Sequence, residues 1–326
     1  MPQITRRALM AAGAAGLAAP ALGQGAFPTR TINVIVPFAA GGPTDTVTRL
    51  TAEAMGRDLG QTVVVENVGG AGGTLGAGRV AQARPDGYTL LLHHIGMATA
   101  PTLYRRLPYD AVNGFEPLGL VTEVPMTLVA RKDFPANTLA EAVAVIKREG
   151  DKLNYANAGI GAASHLCGLL LMKAVGTAMT TVPFRGTGPA IQELLTGRVD
   201  LMCDQTTNTT EQIRSGEIKA FTVTTAERVQ SLPNLPTSKE GGLPEFEVSV
   251  WHGLYAPKGT PAEIQQRLSR ALQTALRDEK LVARFADLGT APVAQDRATP
   301  EAHRRFWQAD IAKWKPIIQA AGQFAD

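Results

Sequence analysis

The chain has 326 residues, enough for two domains at about 150 residues each. Hydrophobic residues make up 44%, and the 33 glycines and 21 prolines, about one residue in six, fall short of the composition of disordered or fibrous chains. A formal net charge of +3 from 32 basic and 29 acidic residues also excludes the strong basic excess that non-specific nucleic-acid binding requires.

The N-terminus reads as an address. Arg6 and Arg7 precede a weakly apolar stretch of Ala and Gly that ends at Leu22, and Ala21-Leu22-Gly23 offers small residues for cleavage. Residues 1–23 are expected to be a twin-arginine-type signal peptide, cleaved to place the mature protein in the periplasm. The apolar run is shorter than the ~20 residues of a membrane span.

The body then alternates strands with helices. Thr31–Val36 is a β-branched run that stops at Pro37, and a helix follows with Pro43 first and Val47, Leu50, Ala54 and Met55 on one face. Val63–Val65 predicts a strand, the glycine loop Gly69–Gly73 leads to a helix from Thr74, and Tyr88–Leu92 predicts the next strand. Farther on come a helix over Leu139–Lys147, a strand over Leu153–Ala156, and a second glycine loop that opens a helix near Ser164. A strand ends at Val182, Pro189 starts a helix, and Val199–Cys203 and Ala220–Thr224 are strands. Amphipathic helices over Pro261–Arg277 and Pro300–Ala320 close the chain. This rhythm defines an α/β protein with mostly parallel sheets flanked by helices. Two crossings, near Thr122–Met126 and Val248–Trp251, divide it into a discontinuous first lobe, 28–125 with 250–326, and a second lobe, 126–249. Two lobes joined by two strands form a hinged clamp.

Motifs for catalysis fail one by one. Gly159-Ile160-Gly161-Ala162-Ala163-Ser164 resembles a dinucleotide fingerprint, but no acidic residue follows the next strand, which runs into Val182-Pro183-Phe184-Arg185. Ser164 and His165 are consecutive and so cannot face each other on a helix. The five histidines, His93, His94, His165, His252 and His303, show no metal-ligand spacing. No cofactor, metal or catalytic role is expected. Cys167 and Cys203 are read as two buried free thiols, although an oxidising compartment would let them pair.

What remains is an anion site made of backbone. Phe38-Ala39-Ala40-Gly41-Gly42 joins the first strand to the first helix, and Gly159, Gly161, Ala162, Ala163 and Ser164 form the equivalent turn in the other lobe. Helix N-termini offer unpaired N–H groups and positive dipole character, and glycine lets a ligand approach closely. Asp45, at the third helical position, is read as a cap for its own helix. Asp204, after its strand, points toward the cleft, and His94 and His165 complete the candidate set. A bulky side chain at Gly42 or Gly161 is expected to abolish binding while sparing the fold.

These motifs together resemble one family. Phe38-Ala39-Ala40-Gly41-Gly42-x-x-Asp45, Val64-Val65-Glu66-Asn67, Pro85-Asp86-Gly87-Tyr88, Leu107-Pro108-Tyr109-Asp110, Pro183-Phe184-Arg185-Gly186 and Gly197-Arg198-Val199-Asp200 follow the order seen in Bug-type solute-binding proteins of tripartite tricarboxylate transporters. The resemblance implies a type II periplasmic-binding-protein-like clamp, a monomer that holds a small organic carboxylate (a dicarboxylate, an amino acid or an aromatic acid). Backbone amides and bridging waters of the two glycine loops would supply the contacts. It also implies membrane permease subunits as partners, with presentation to a receptor kinase as the alternative; a secreted hydrolase is a further reading of the residues. The chain departs from the family at Ala162-Ala163, where hydroxyl residues are usual, and at His93-His94, where small residues are usual. An imidazole there either reads a second acidic group or fills a wall.

Overall fold

The structure, a computed structural model, describes residues 27–321 and 324–325, so the expected signal peptide lies outside the described residues. In chain order the elements are β1 (Ile32–Val36), α1 (Pro43–Leu59), β2 (Val63–Asn67), α2 (Thr74–Ala81), β3 (Thr89–His94), α3 (Gly96–Leu103) and β4 (Phe115–Arg131). There follow α4 (Leu139–Glu149), β5 (Asn154–Asn157), α5 (Ala163–Val175), β6 (Thr180–Pro183), α6 (Thr187–Leu195), β7 (Leu201–Gln205), α7 (Thr206–Arg214) and β8 (Ile218–Val223). The chain ends with β9 (Ser249–Pro257), α8 (Ala262–Ala275), α9 (Glu279–Asp287) and α10 (Pro300–Ala321). Among the described residues no helix is long and apolar enough to cross a membrane.

Two parallel sets of strands flank a pair of antiparallel crossings. The strand order is β2-β1-β3-β9-β4-β7-β5-β6, with β8 also paired to β4. β1 runs parallel to β2 and β3, and β5 runs parallel to β6 and β7. The 17-residue β4 serves both sets. It pairs with β9 as far as Pro125↔Ser249, then takes β7 from Met126↔Gln205 and β8 from Thr127↔Val223. The two-lobed α/β architecture rests on this change of partner. A proline at 125 suits it, since a residue without an N–H cannot extend a ladder on both sides.

Burial follows the helical and strand periodicities. The apolar faces of α1, α8 and α10 cover the β1–β3–β9 side, where Leu90, Leu91, Tyr255, Leu268, Leu272 and Trp307 are buried. Trp307 packs its ring 5.3 Å from Tyr255 and donates its Nε1–H to the Met97 carbonyl at 3.0 Å. That anchor helps explain α3, a helix that its own Gly96 and Pro101 argue against. Packing overrides propensity there. α9 is capped by Asp278, which accepts the Leu281 N–H at 3.0 Å.

Three expectations need correction. The cysteines are not free: Cys167 on α5 and Cys203 on β7 form a disulfide, with Cα atoms 6.0 Å apart. The helix expected from Pro189 begins two residues earlier, at Thr187, because proline is tolerated anywhere in the first turn. The strand expected over Val199–Cys203 runs from Leu201 to Gln205, since the ladder with β4 continues through Asp204 and Gln205. Both shifts move polar side chains into the cleft.

Candidate functional site

Four helix N-termini meet at one small closed cavity. Its wall includes Gly42, Pro43 and Thr44 from the start of α1, Ala163 and Ser164 from the start of α5, Thr187 from α6 and Gln205 before α7. None of these helices has a side-chain cap on its first turn. Their first-turn N–H groups and the positive ends of four dipoles are therefore left for whatever enters. Phe38, His94, Ala158 and Asp204 complete the lining, and no Arg or Lys is among them. The cavity is about 20 Å³, the space of roughly one water, so the two sides are drawn tightly together.

Contacts across the cleft hold this closure. The Ala39 N–H donates to the Arg185 carbonyl at 2.9 Å, and Thr99 Oγ1 reaches the Gly161 carbonyl at 3.3 Å. Tyr104 Oη lies 2.8 Å from the Ile160 carbonyl oxygen and 2.7 Å from that of Ala71. Small residues make the approach possible: a Cβ on Gly72 would sit 1.9 Å from the Ile160 oxygen, and one on Gly188 would sit 2.7 Å from the Ala40 oxygen.

The loop before α1 is fixed from behind. Asp45 accepts the Gly41 N–H at 3.0 Å and the Arg49 Nε–H at 2.9 Å, while Asn67 donates to Asp45 and to the Phe38 carbonyl. Burial alone would raise the Asp45 pKa, but these donors outweigh it and hold it below its usual value. Asp45 acts on its own helix terminus and does not line the cavity.

Histidines form one wall. His94 stacks on Phe38 at 4.7 Å and meets His93 and His252 edge-on at 4.8 and 5.9 Å. The Gly96 N–H donates to His94 Nδ1 at 3.0 Å, so the ring proton sits on Nε2. Burial pushes the His94 pKa down to about 3, and those of His93 and His252 well below the ordinary value. All three are neutral at physiological pH. The positive character of the site is therefore backbone in origin.

Ser164 Oγ accepts the Ala158 N–H at 2.9 Å, which leaves its own O–H to donate. On the opposite side Asp204, 1% exposed, accepts from Asn208 and has Thr187 and the Gln205 N–H as further donors. Burial raises its pKa to about 6 against the lowering effect of those donors.

Of the residues singled out in the sequence, Phe38, Gly42, His94, Ala163, Ser164 and Asp204 come together at the cavity. Ala39, Ala40 and Gly41 lie on the rim of the same loop, Ala40 and Gly41 exposed. Gly159 and Ile160 border an outer groove of about 760 Å³ at the cleft mouth, with Tyr104, Phe184 and Arg185. Gly161 packs against Leu103, and its N–H donates to His165 Nδ1 at 3.3 Å, turning that histidine away from the cavity. Ala162 is the residue that precedes α5, with its N–H bonded to the Gly159 carbonyl. Thr44, Thr187 and Gln205 were not legible as site residues. Thr187 and Gln205 required the correct ends of α6 and β7, and only Pro43 marked the turn that holds Thr44. Among the described residues no cluster of His, Cys, Asp and Glu could hold a metal ion.

A two-lobed α/β clamp whose helix N-termini converge on one cavity has the architecture of the periplasmic binding proteins. The comparisons with known proteins agree. Residues 47–323 match the model of the tripartite tricarboxylate transporter family receptor, TctC, and the chain belongs to this Bug-type family. A protein of Agrobacterium vitis, described as a UPF0065 protein in the TAR-I ttuE-ttuC' intergenic region, is 52% identical over 300 residues, covering 92% of this chain and 87% of that protein. The periplasmic binding protein BugD superposes with a TM-score of 0.90 at 50% identity over 92% of this chain and 100% of its own. MatC from Rhodopseudomonas palustris with bound malate does so at 0.86 and 43% identity over 90% of this chain and 100% of its own.

Proposed function

We propose that the protein is an exported solute receptor that captures a small organic carboxylate between its lobes for a tripartite tricarboxylate-type transporter. The observation that carries this reading is the meeting of four uncapped helix N-termini at one cavity without a basic side chain. Such a site favours an anion by dipole and N–H donation. The lobes would be residues 28–125 with 250–326 and residues 126–249, hinged where β4 changes partners. Bound malate in MatC, a relative 43% identical to this chain, supports the carboxylate class.

The protein would bind without turning its ligand over. Supporting this, Ser164 Oγ and His165 Nδ1 each accept a backbone N–H, and neither engages the other. Export through residues 1–23, release into the periplasm, action as a monomer and delivery to membrane permease subunits belong to the same proposal.

The test is a thermal-shift screen of the protein from Gln24 against mono-, di- and aromatic carboxylates, followed by calorimetry. A ligand at 100 times its Kd should stabilise the folded state by about 2.7 kcal/mol. A shift with an acid recovered unchanged is the expected result. No shift with any carboxylate would overturn the reading, and consumption of the acid would overturn its non-catalytic part.

A further inference from the structure

The cavity has two chemically different ends. Around Gly42, Ser164 and His94 the wall offers donors: first-turn N–H groups, the Ser164 hydroxyl and the His94 Nε2–H. At the end of β7 it offers acceptors. Asp204, which accepts from Asn208, Thr187 and the Gln205 N–H, has no ion-pair partner among the described residues, and the Gln205 side chain, 2% exposed, has its Oε1 buried without a hydrogen-bond partner. An acceptor left unmatched in a desolvated site is unfavourable, more so when charged. A second carboxylate placed against Asp204 would add like-charge repulsion.

Resting on the carboxylate-receptor reading, we infer that Asp204 and Gln205 select acids that carry a hydroxyl or ammonium donor beside a carboxylate. The carboxylate takes the helix N-termini, and the donor is given to the β7 end. A plain dicarboxylate brings no donor to Gln205 Oε1 and sets a second carboxylate against Asp204, a repulsion relieved only when Asp204 takes up a proton.

The histidines and the tyrosine packed around the cavity stay neutral near pH 7. His94 from β3, in the cavity wall, and His252, hydrogen-bonded to Thr44 behind it, have pKa values lowered by burial, as does His165, which lies outside the lining. The Tyr155 hydroxyl from β5 has a raised one. Cys203 is in the disulfide and does not titrate. Asp204 is thus the protein group in the cavity that can couple a proton to binding in this range.

The experiment is calorimetry between pH 6.5 and 8.5 with succinate, malate and aspartate, on the wild type and on Asp204→Asn. At pH 7.5 malate or aspartate should bind at least about tenfold more tightly than succinate, since a site built to bond a donor rejects the analogue without one. The two donors distinguish hydroxyl from ammonium selection. Succinate affinity should fall about tenfold per pH unit as its binding requires the protonated carboxyl, and Asp204→Asn should abolish that slope and narrow the preference. Should the variant fail to fold, the wild-type pH series alone decides. Equal and pH-independent affinities for succinate and malate would overturn the inference while leaving the receptor reading intact. Failure of every carboxylate to bind would overturn both.

Discussion

Replacing Gly72 with alanine should block closure. The residue sits at φ +61°, and its Cβ would lie 1.9 Å from the Ile160 carbonyl oxygen and 2.6 Å from Tyr104 Oη. A carbon–oxygen contact settles near 3.3 Å, about its limit even for weakly attractive pairs, so the facing loop must retreat by more than about 1 Å. Three cross-cleft hydrogen bonds of 2.8, 2.9 and 3.3 Å then stretch toward or past the 3.5 Å limit: Tyr104 to Ile160, Ala39 to Arg185 and Thr99 to Gly161. At about 0.5–1.5 kcal/mol each, their loss removes about 2–4 kcal/mol from the closed form. That is a fall of about 30- to 1000-fold in affinity at 1.4 kcal/mol per decade. The left-handed backbone conformation costs alanine only about 1–2 kcal/mol in folding. Calorimetry with the best acid from the screen reads the first quantity, and denaturant unfolding reads the second. Small-angle scattering should show the variant failing to compact with ligand. Wild-type affinity in a folded Gly72→Ala protein would refute the idea that the ligand is held by closure of these loops.

Two further outcomes follow from the packing. The Cys167–Cys203 bond spans 36 residues, so its reduction should cost about 4 kcal/mol on the loop-closure model; urea unfolding with and without reductant measures this, and a loss below about 1 kcal/mol would count against a structural bridge. Glu116 is buried between Lys258 at 2.9 Å and Arg304 at 2.8 Å. Burial alone would raise its pKa, but these cations and the Gly259 N–H outweigh it and lower it. Its stabilisation is therefore present above the unfolded carboxylate range and lost as pH falls through the folded value. Glu116→Gln should lower stability by about 2 kcal/mol at pH 7, and the melting-temperature gap should shrink as pH falls below the ordinary glutamate range; a gap that persists undiminished in acid would refute the ion-pair account.

Much of the fold was legible because local rules and tertiary packing agree. Pro43 at a helix start, Asp45 two positions later and the β-branched run before Pro37 each specify local geometry, and β1 and α1 form within a residue of expectation. Where packing and propensity conflict, the sequence misleads. α3, with Gly96 and Pro101, is held by Trp307 of α10, 210 positions away from its carbonyl partner Met97. β4 does cross near Thr122–Met126, but its length, from Phe115 to Arg131, is set by the ladders that supply partners on both sides.

The chemistry divides along the same line. The order of short motifs along the chain, each tied to a turn or helix start, was enough to determine the Bug-type family and to single out helix starts as the candidate site, since N–H groups at helix starts depend only on local conformation. Which of those starts share a cavity is a non-local matter. The three-dimensional arrangement brought Thr187 and Gln205 to the wall and turned His165 away from it. It also joined Cys167 to Cys203, because distances between residues far apart in sequence are set by how the sheets and helices pack.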